Sequence, residues 1–138
     1  MVALSEDGEV FSWGGGQGGQ LGLGSYDGTM LPKKISFPGK EPEVVCISAG
    51  DSHTTAVTKD GKLFTWGMGG RGRLGHGVDP ITGEYNDELV PRVVEHGTMA
   101  HAYQAAAGGS YKSSHTLVLT AGGTVWEAKD EFVDDPIL

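Results

Sequence analysis

Two glycine-rich stretches are the first candidates for chemistry in this chain. Residues 14–19 and 67–72 both read Gly-x-Gly-x-x-Gly, which matches the dinucleotide-binding fingerprint as a string of letters. The fingerprint holds a pyrophosphate only where a helix begins at its last glycine inside a strand–helix–strand unit. The segment 21–28 follows the first stretch, and its three glycines oppose a helix. We therefore expect both stretches to shape turns, and we predict no cofactor.

The histidines, serines and cysteine show no pattern typical of catalysis or metal binding. Ser52 and His53 are adjacent, and adjacent side chains in a strand point to opposite faces, so they make no dyad. Five histidines and the single cysteine, Cys46, lack the paired spacing of a zinc site. Scattered carboxylates leave general acid–base chemistry open but unsupported. The sequence predicts a protein that is not an enzyme, without catalytic or metal-binding residues.

One segment occurs twice, 53 residues apart, and it predicts how the chain folds. The copies 6–24 and 59–77 both place Asp-Gly before a short apolar strand that ends in Trp-Gly. Both then continue into Gly-(Gln or Arg)-Leu-Gly. A third, degraded copy spans 121–126. Periods of about 50 residues with Asp-Gly hairpin signals are typical of blade-type repeats, which usually provide surfaces for binding.

Short strands separated by turn residues account for most of the chain. Pro32 and Pro91 each precede a further short strand, and proline there favours the edge of a sheet. The second repeat carries an insertion at 78–88, rich in Asp, Glu, Gly and Asn, which indicates a solvated loop. The principal predicted strands are residues 10–13, 44–48, 54–58, 63–66, 103–107 and 116–120.

Charge and composition restrict the partners of the chain. The formal net charge is -8, with 18 acidic and 10 basic residues and no run of Lys or Arg. We therefore expect no nucleic acid to bind this chain alone. No apolar stretch is long enough for a membrane span. A single cysteine predicts a reducing, intracellular compartment, either cytoplasmic or nuclear.

Taken together, these elements resemble the regulator of chromosome condensation repeat family. The resemblance rests on Gly50-x-x-His53-Thr54, on Asp-Gly at 60–61, on Trp-Gly at 66–67 and on Gly-Arg-Leu-Gly-His-Gly at 72–77, in that order. It implies an all-β fold, a partial β-propeller with antiparallel, four-stranded blades taken from a seven-bladed ring. We expect two blades and part of a third.

The expected repeats fill residues 1–126, divided at about 1–53, 54–114 and a partial 115–126, with an acidic tail over 127–138. Repeats bury their faces only against neighbouring repeats, so a stack this short needs completion. A longer parent chain, of which this sequence is a fragment, is one way to supply the missing blades. A homo-oligomer is the other, since three chains of about 2.3 blades supply about seven.

Asp51 is the one candidate residue for partner binding. In the nucleotide-exchange branch of the family, an Asp in such a segment faces a small GTPase, and Asp51 fits that position by local motif. The simpler interpretation is that Asp51 caps its turn. A plant ultraviolet photoreceptor branch is also similar, but it has Gly-Trp-Arg-His-Thr where this chain has Gly-Asp-Ser-His-Thr at 50–54, which disfavours photoreception.

Three functions remain open at this point. We hypothesise a non-enzymatic protein–protein interaction module built from propeller repeats. The first alternative is a regulator that accelerates guanine-nucleotide exchange on a small GTPase. The second is a substrate-recruiting segment of a HECT-type ubiquitin ligase.

Overall fold

Three antiparallel β-sheets make up the fold. The computed structural model describes residues 1–95, 101–110, 113–129 and 131–132. Within these residues there is no α-helix, only a single 3₁₀ turn at Gly70–Gly72. The strands are β1 (Val2–Leu4), β2 (Val10–Gly14) and β3 (Thr29–Lys34); β4 (Val44–Ala49), β5 (His53–Thr58), β6 (Leu63–Gly67) and β7 (Glu88–Val93); and β8 (Ala102–Gly108), β9 (His115–Thr120), β10 (Val125–Lys129) and β11 (Glu131–Phe132).

Each sheet is a simple meander, in which strands that follow one another in sequence pair with one another. The first sheet has the order β1-β2-β3, the second β4-β5-β6-β7 and the third β8-β9-β10-β11. Two separate hydrophobic clusters lie between neighbouring sheets. One joins the first and second sheets around Trp66 and Ile35, and the other joins the second and third around Trp126 and Val57. Stacked meanders of this kind form a partial propeller, which confirms the predicted all-β fold class.

Pro32 and Pro91 lie in edge strands, as predicted, but we expected each to precede its strand, and each lies inside it. Pro32 is in β3 and Pro91 is in β7, and each strand forms one edge of its sheet. The pairing register shifts at the same place in both sheets, opposite Trp13 and Trp66. Proline has no N–H to donate, so a bulge at the sheet edge accommodates it without disrupting a central ladder.

The third sheet extends beyond the residue at which we placed the end of the repeats. β10 continues past Trp126 through Lys129 and pairs with β11. Trp126 and Ala128 are both buried, so the alternation of inward and outward side chains continues across Glu127. The rest of the expected acidic tail, Asp130 and residues 133–138, lies outside the described residues.

Candidate functional site

The loops fall into two groups at opposite ends of the sheets, because the strands of a meander alternate in direction. One end carries the Asp-Gly turns at 5–9 and 59–62 and the corresponding turn at 121–124, which lacks the Asp. The other end, which we call the long-loop end, carries the loops 15–28, 50–52 and 68–87. Asp51 lies at the long-loop end of the second sheet.

The turn that carries Asp51 is fixed on several sides. It is closed by a hydrogen bond from Gly50 N to His53 O (2.8 Å). Met68 N donates to Ser52 O (2.9 Å), which attaches the turn to the loop after β6. The buried guanidinium of Arg73 donates from Nη1 to Ser52 Oγ (2.6 Å). The backbone at Asp51 is therefore held in place by bonds that do not involve its own carboxylate.

The Asp51 carboxylate itself is exposed and makes no hydrogen bond or ion pair with any described residue. The interpretation that Asp51 caps its turn therefore has no side-chain hydrogen bond to support it. Capping here would need the carboxylate to accept a nearby backbone N–H. The result is a carboxylate on a fixed backbone that faces solvent with its acceptor positions open.

Beneath this turn, a buried network joins the second and third sheets. His53 Nε2 lies 3.0 Å from Thr116 Oγ1, and that hydroxyl donates to Arg73 O (2.7 Å). His53 Nε2 must therefore be the donor to Thr116. His53 thus bonds to a side chain of the next sheet. His115 is half-buried, and its side chain has no hydrogen bond within the described residues.

Burial keeps His53 neutral. Desolvation, with a smaller contribution from the Arg73 charge, lowers the pKa of His53 from 6.5 to about 4. Its Nδ1 is buried and lacks a hydrogen-bond partner. The neutral imidazole of His53 is fully buried between two sheets, so a substrate cannot reach it and its role is structural.

One backbone carbonyl of the first repeat accepts two hydrogen bonds from the second sheet. Gln20 O accepts hydrogen bonds from Thr54 Oγ1 (2.9 Å) and from Trp66 Nε1 (3.0 Å). In the next repeat, Arg73 O accepts from Thr116 in the corresponding way. The Gly-(Gln or Arg)-Leu-Gly stretches, which follow the two fingerprint-like strings, thus supply contacts between sheets.

A cleft lies at the other end of the molecule, away from Asp51. Its volume is about 580 Å³, with Pro38, Pro42 and Phe64 in its lining. Three lysines and three carboxylates complete the lining, and two pairs of them form ion pairs, Lys59–Glu43 (3.4 Å) and Lys62–Asp60 (3.9 Å). This balanced, solvent-exposed arrangement does not concentrate charge of either sign.

Within the described part of the chain, no three His, Cys, Asp or Glu side chains lie close enough to hold a metal ion. No described helix is long and apolar enough to cross a membrane.

The fold and the inter-sheet contacts define a propeller-type repeat module, and comparison with known proteins identifies the family. The model of the regulator of chromosome condensation (RCC1) repeat matches residues 7–57 and 60–119. A second model of the same repeat matches residues 44–73. The chain belongs to the RCC1 repeat family.

Individual relatives are much longer than this chain. Human E3 ubiquitin-protein ligase HERC2 is 39% identical over 132 residues, which is 94% of this chain and 3% of HERC2. The ultraviolet-B receptor UVR8 of Arabidopsis thaliana is 45% identical over 94 residues, 67% of this chain and 20% of UVR8. The crystal structure of human WBSCR16 superposes with a TM-score of 0.77 at 30% identity, covering 91% of this chain and 29% of that one.

Proposed function

We propose that this chain is a protein-binding module whose contact surface is the long-loop end of the second sheet, with Asp51 at its centre. The observation that supports the proposal is the combination of a fixed backbone and an unpaired, exposed carboxylate at Asp51. Because the backbone that carries this carboxylate is already fixed, binding a partner orders only the side chain and costs little conformational entropy. At the opposite end, two lysines and two carboxylates partly neutralise one another.

Photo-crosslinking at the two ends tests this proposal. Gln17 is exposed and adjoins Gly18, where an added Cβ would lie 3.3 Å from Ser52 O. A photoreactive benzoylphenylalanine replaces Gln17 in one variant and Lys62, at the other end, in a control. Proteins cross-linked in cells are identified by mass spectrometry, purified and titrated against the wild type, Asp51→Ala and Asp7→Ala. Asp7 is an exposed Asp of the opposite end.

We expect an adduct specific to position 17, and a loss of at least about tenfold in affinity on Asp51→Ala but not on Asp7→Ala. Equal adducts from both ends, or a partner whose affinity is unchanged by Asp51→Ala, would contradict the proposed surface.

Nucleotide exchange on a small GTPase is a second candidate, and it depends on the same carboxylate. An exchange regulator performs no covalent step. It binds the nucleotide-free GTPase more tightly than the loaded form and so favours release. We expect Asp51→Ala to slow the release of a fluorescent GDP analogue from a responsive member of a small-GTPase panel, with the circular dichroism spectrum unchanged. The candidate is rejected if the wild-type chain accelerates release from none of them.

Recruitment of substrates to a ubiquitin ligase is a third candidate, and the similarity to HERC2 favours it. The described residues contain one free thiol, Cys46, which is half-buried in β4 and so is not placed as a ligase nucleophile. In this role the long-loop end would hold a substrate while other parts of a longer protein perform the transfer. Ubiquitination of the cross-linked partner by a ligase carrying these repeats, lost on Asp51→Ala, would support it.

A further inference from the structure

The loop after β6 differs from its counterpart in the first repeat, although the flanking elements match. In the first repeat, four residues separate Gly24 from β3, whereas ten separate Gly77 from β7. We call residues 78–87 the insertion loop. The repeat scaffold does not need it, since the first repeat makes the same strand connection without it.

The insertion loop is held in one shape by a single carboxylate. Asp79 Oδ1 accepts from Ile81 N (2.7 Å) and Thr82 N (3.1 Å), and Asp79 Oδ2 accepts from Asn86 Nδ2 (3.2 Å). Backbone bonds from Asp79 N to Glu84 O and from Gly83 N to Asp79 O (both 2.8 Å) close the tip. The bonds from Ile81 and Thr82 hold the pKa of the Asp79 carboxyl below its usual value, so Asp79 stays ionised and bonded at neutral pH.

The base of the loop is fixed to the body of the molecule. Asp87 Oδ1 accepts from Gly69 N (2.8 Å), and Asp87 Oδ2 accepts from the hydroxyl of Tyr26 (3.0 Å) in the first repeat. The loop is thus attached at its base and cross-linked at its tip. Its position relative to both repeats is defined.

At the tip of this ordered loop, Ile81 is 92% exposed. An exposed apolar side chain on a pre-organised loop contributes nothing to the core, and it loses little entropy on entering a pocket. The insertion loop contains three carboxylates and no lysine or arginine.

We propose that Ile81 is an anchor of the binding surface, and that it inserts into an apolar pocket bordered by Lys and Arg on the partner protein. This inference rests on the proposed protein-binding function and adds to it the chemistry of the partner. The pocket buries the Ile81 side chain, while the basic border complements the carboxylates of the insertion loop. The acidic loop opposes an anionic membrane or a nucleic acid as the occupant.

The test uses the partner captured from position 17 and titrates it against Ile81→Ser and Met30→Ser in the full chain. Met30 is a matched control because its side chain is 94% exposed and lies in the first sheet. We expect Ile81→Ser to weaken binding at least tenfold and Met30→Ser to leave it unchanged. We also expect wild-type affinity to fall severalfold between low and high salt, since the charges at the border of a contact are screened. Asp79→Ala, which frees the loop but keeps Ile81, should weaken binding to an intermediate extent.

The outcomes separate this inference from the function on which it rests. Unchanged binding by Ile81→Ser with a loss on Asp51→Ala overturns the anchor and retains the surface. Absence of any partner from position 17 overturns both. Binding of the wild type to phosphatidylcholine–phosphatidylserine vesicles, lost on Ile81→Ser, would assign Ile81 to a membrane and overturn the proposed pocket.

Discussion

The outer strands of the first and second sheets occupy matching places, but only one of them is covered. In the second sheet, Leu89 is half-buried under the glycine-rich loop of the first repeat, and Gly24 N donates to Leu89 O (2.9 Å). In the first sheet, the corresponding Met30 and Leu31 are 94% and 73% exposed. The outer strand of a sheet is therefore buried by the glycine-rich loop of the repeat that precedes it.

Within each repeat, by contrast, the internal bonds are the same. Ser12 Oγ donates to Leu21 O (2.7 Å), and Thr65 Oγ1, at the matching position, donates to Leu74 O (2.6 Å). The residues that recur in both repeats thus form the scaffold. The glycine-rich loop of the first repeat additionally buries part of the outer strand of the second sheet. The exposed side chains of Asp51 and Ile81 are not part of either, which is why we propose that they bind a partner.

Removing a tryptophan should show the largest difference between the two sheets. Trp66 is fully buried, packs edge-on against Phe37 (ring centroids 6.0 Å apart) and bonds to the first repeat. We expect Trp66→Ala to lower the free energy of unfolding by about 3–5 kcal/mol. Trp13→Ala should cost about 1–2 kcal/mol, because Trp13 is only half-buried. Urea unfolding followed by circular dichroism measures both, and equal losses would show that the sheets are equally covered.

Acid should destabilise the chain through the buried His53 and the half-buried His76, and the first repeat has no histidine at the position of His76. Burial, with a smaller contribution from Arg92, lowers the pKa of His76 from 6.5 to about 4, as burial does for His53. Between these values the unfolded chain binds more protons than the folded chain. Stability therefore falls as pH drops from about 6.5 to 4, by up to roughly 3 kcal/mol per histidine.

The first repeat has Leu23 where the second has His76, so His76→Leu is the natural control. We expect the pH dependence of the unfolding free energy between pH 7 and 4.5 to be clearly smaller in His76→Leu than in the wild type. Parallel pH profiles for the two proteins would mean that His76 titrates normally in the folded state.

Two glycines with the same backbone conformation should separate the effect of inter-sheet packing from that of backbone strain. Gly22 and Gly77 have φ of 70° and 71°, so alanine is strained at both. A Cβ at Gly22 would lie 2.7 Å from Trp66 Nε1, while nothing lies within 4 Å of one at Gly77. We expect Gly22→Ala to cost about 1–3 kcal/mol more than Gly77→Ala, measured by thermal unfolding. Equal stability losses in the two variants would mean that the first repeat does not pack closely against Trp66.

Local patterns in the sequence were sufficient to predict the central strands and the edge positions of Pro32 and Pro91, but not β11 or the starts of β3 and β7, which contain their prolines. The Asp-Gly turns, the alternation around Trp13 and Trp66 and the prolines of β3 and β7 all report on neighbouring residues, and the structure confirms them. The partners of His53 and Gln20 were not predictable in this way. They lie in the next sheet, 63 and 34 to 46 positions away, and no periodicity encodes such pairings.

The same distinction between local pattern and distant contacts applies to the candidate site. The motif located Asp51, but only the structure shows that its turn is fixed by Arg73 and Met68 and that its carboxylate has no partner among the described residues. The acidic composition of the insertion predicted solvent exposure, which is observed for most of 78–87. The order imposed by Asp79 depends on hydrogen-bond geometry, and composition does not reveal it.

The most direct test of the division between scaffold and binding surface is a paired measurement on the double variant Asp51→Ala, Ile81→Ser. Its free energy of unfolding and its affinity for the partner captured at position 17 are measured on the same preparation. We predict unfolding within about 0.5 kcal/mol of the wild type, because both side chains are exposed, together with a loss of affinity greater than tenfold. A destabilised double variant, or one that binds the partner as tightly as the wild type, would contradict that division.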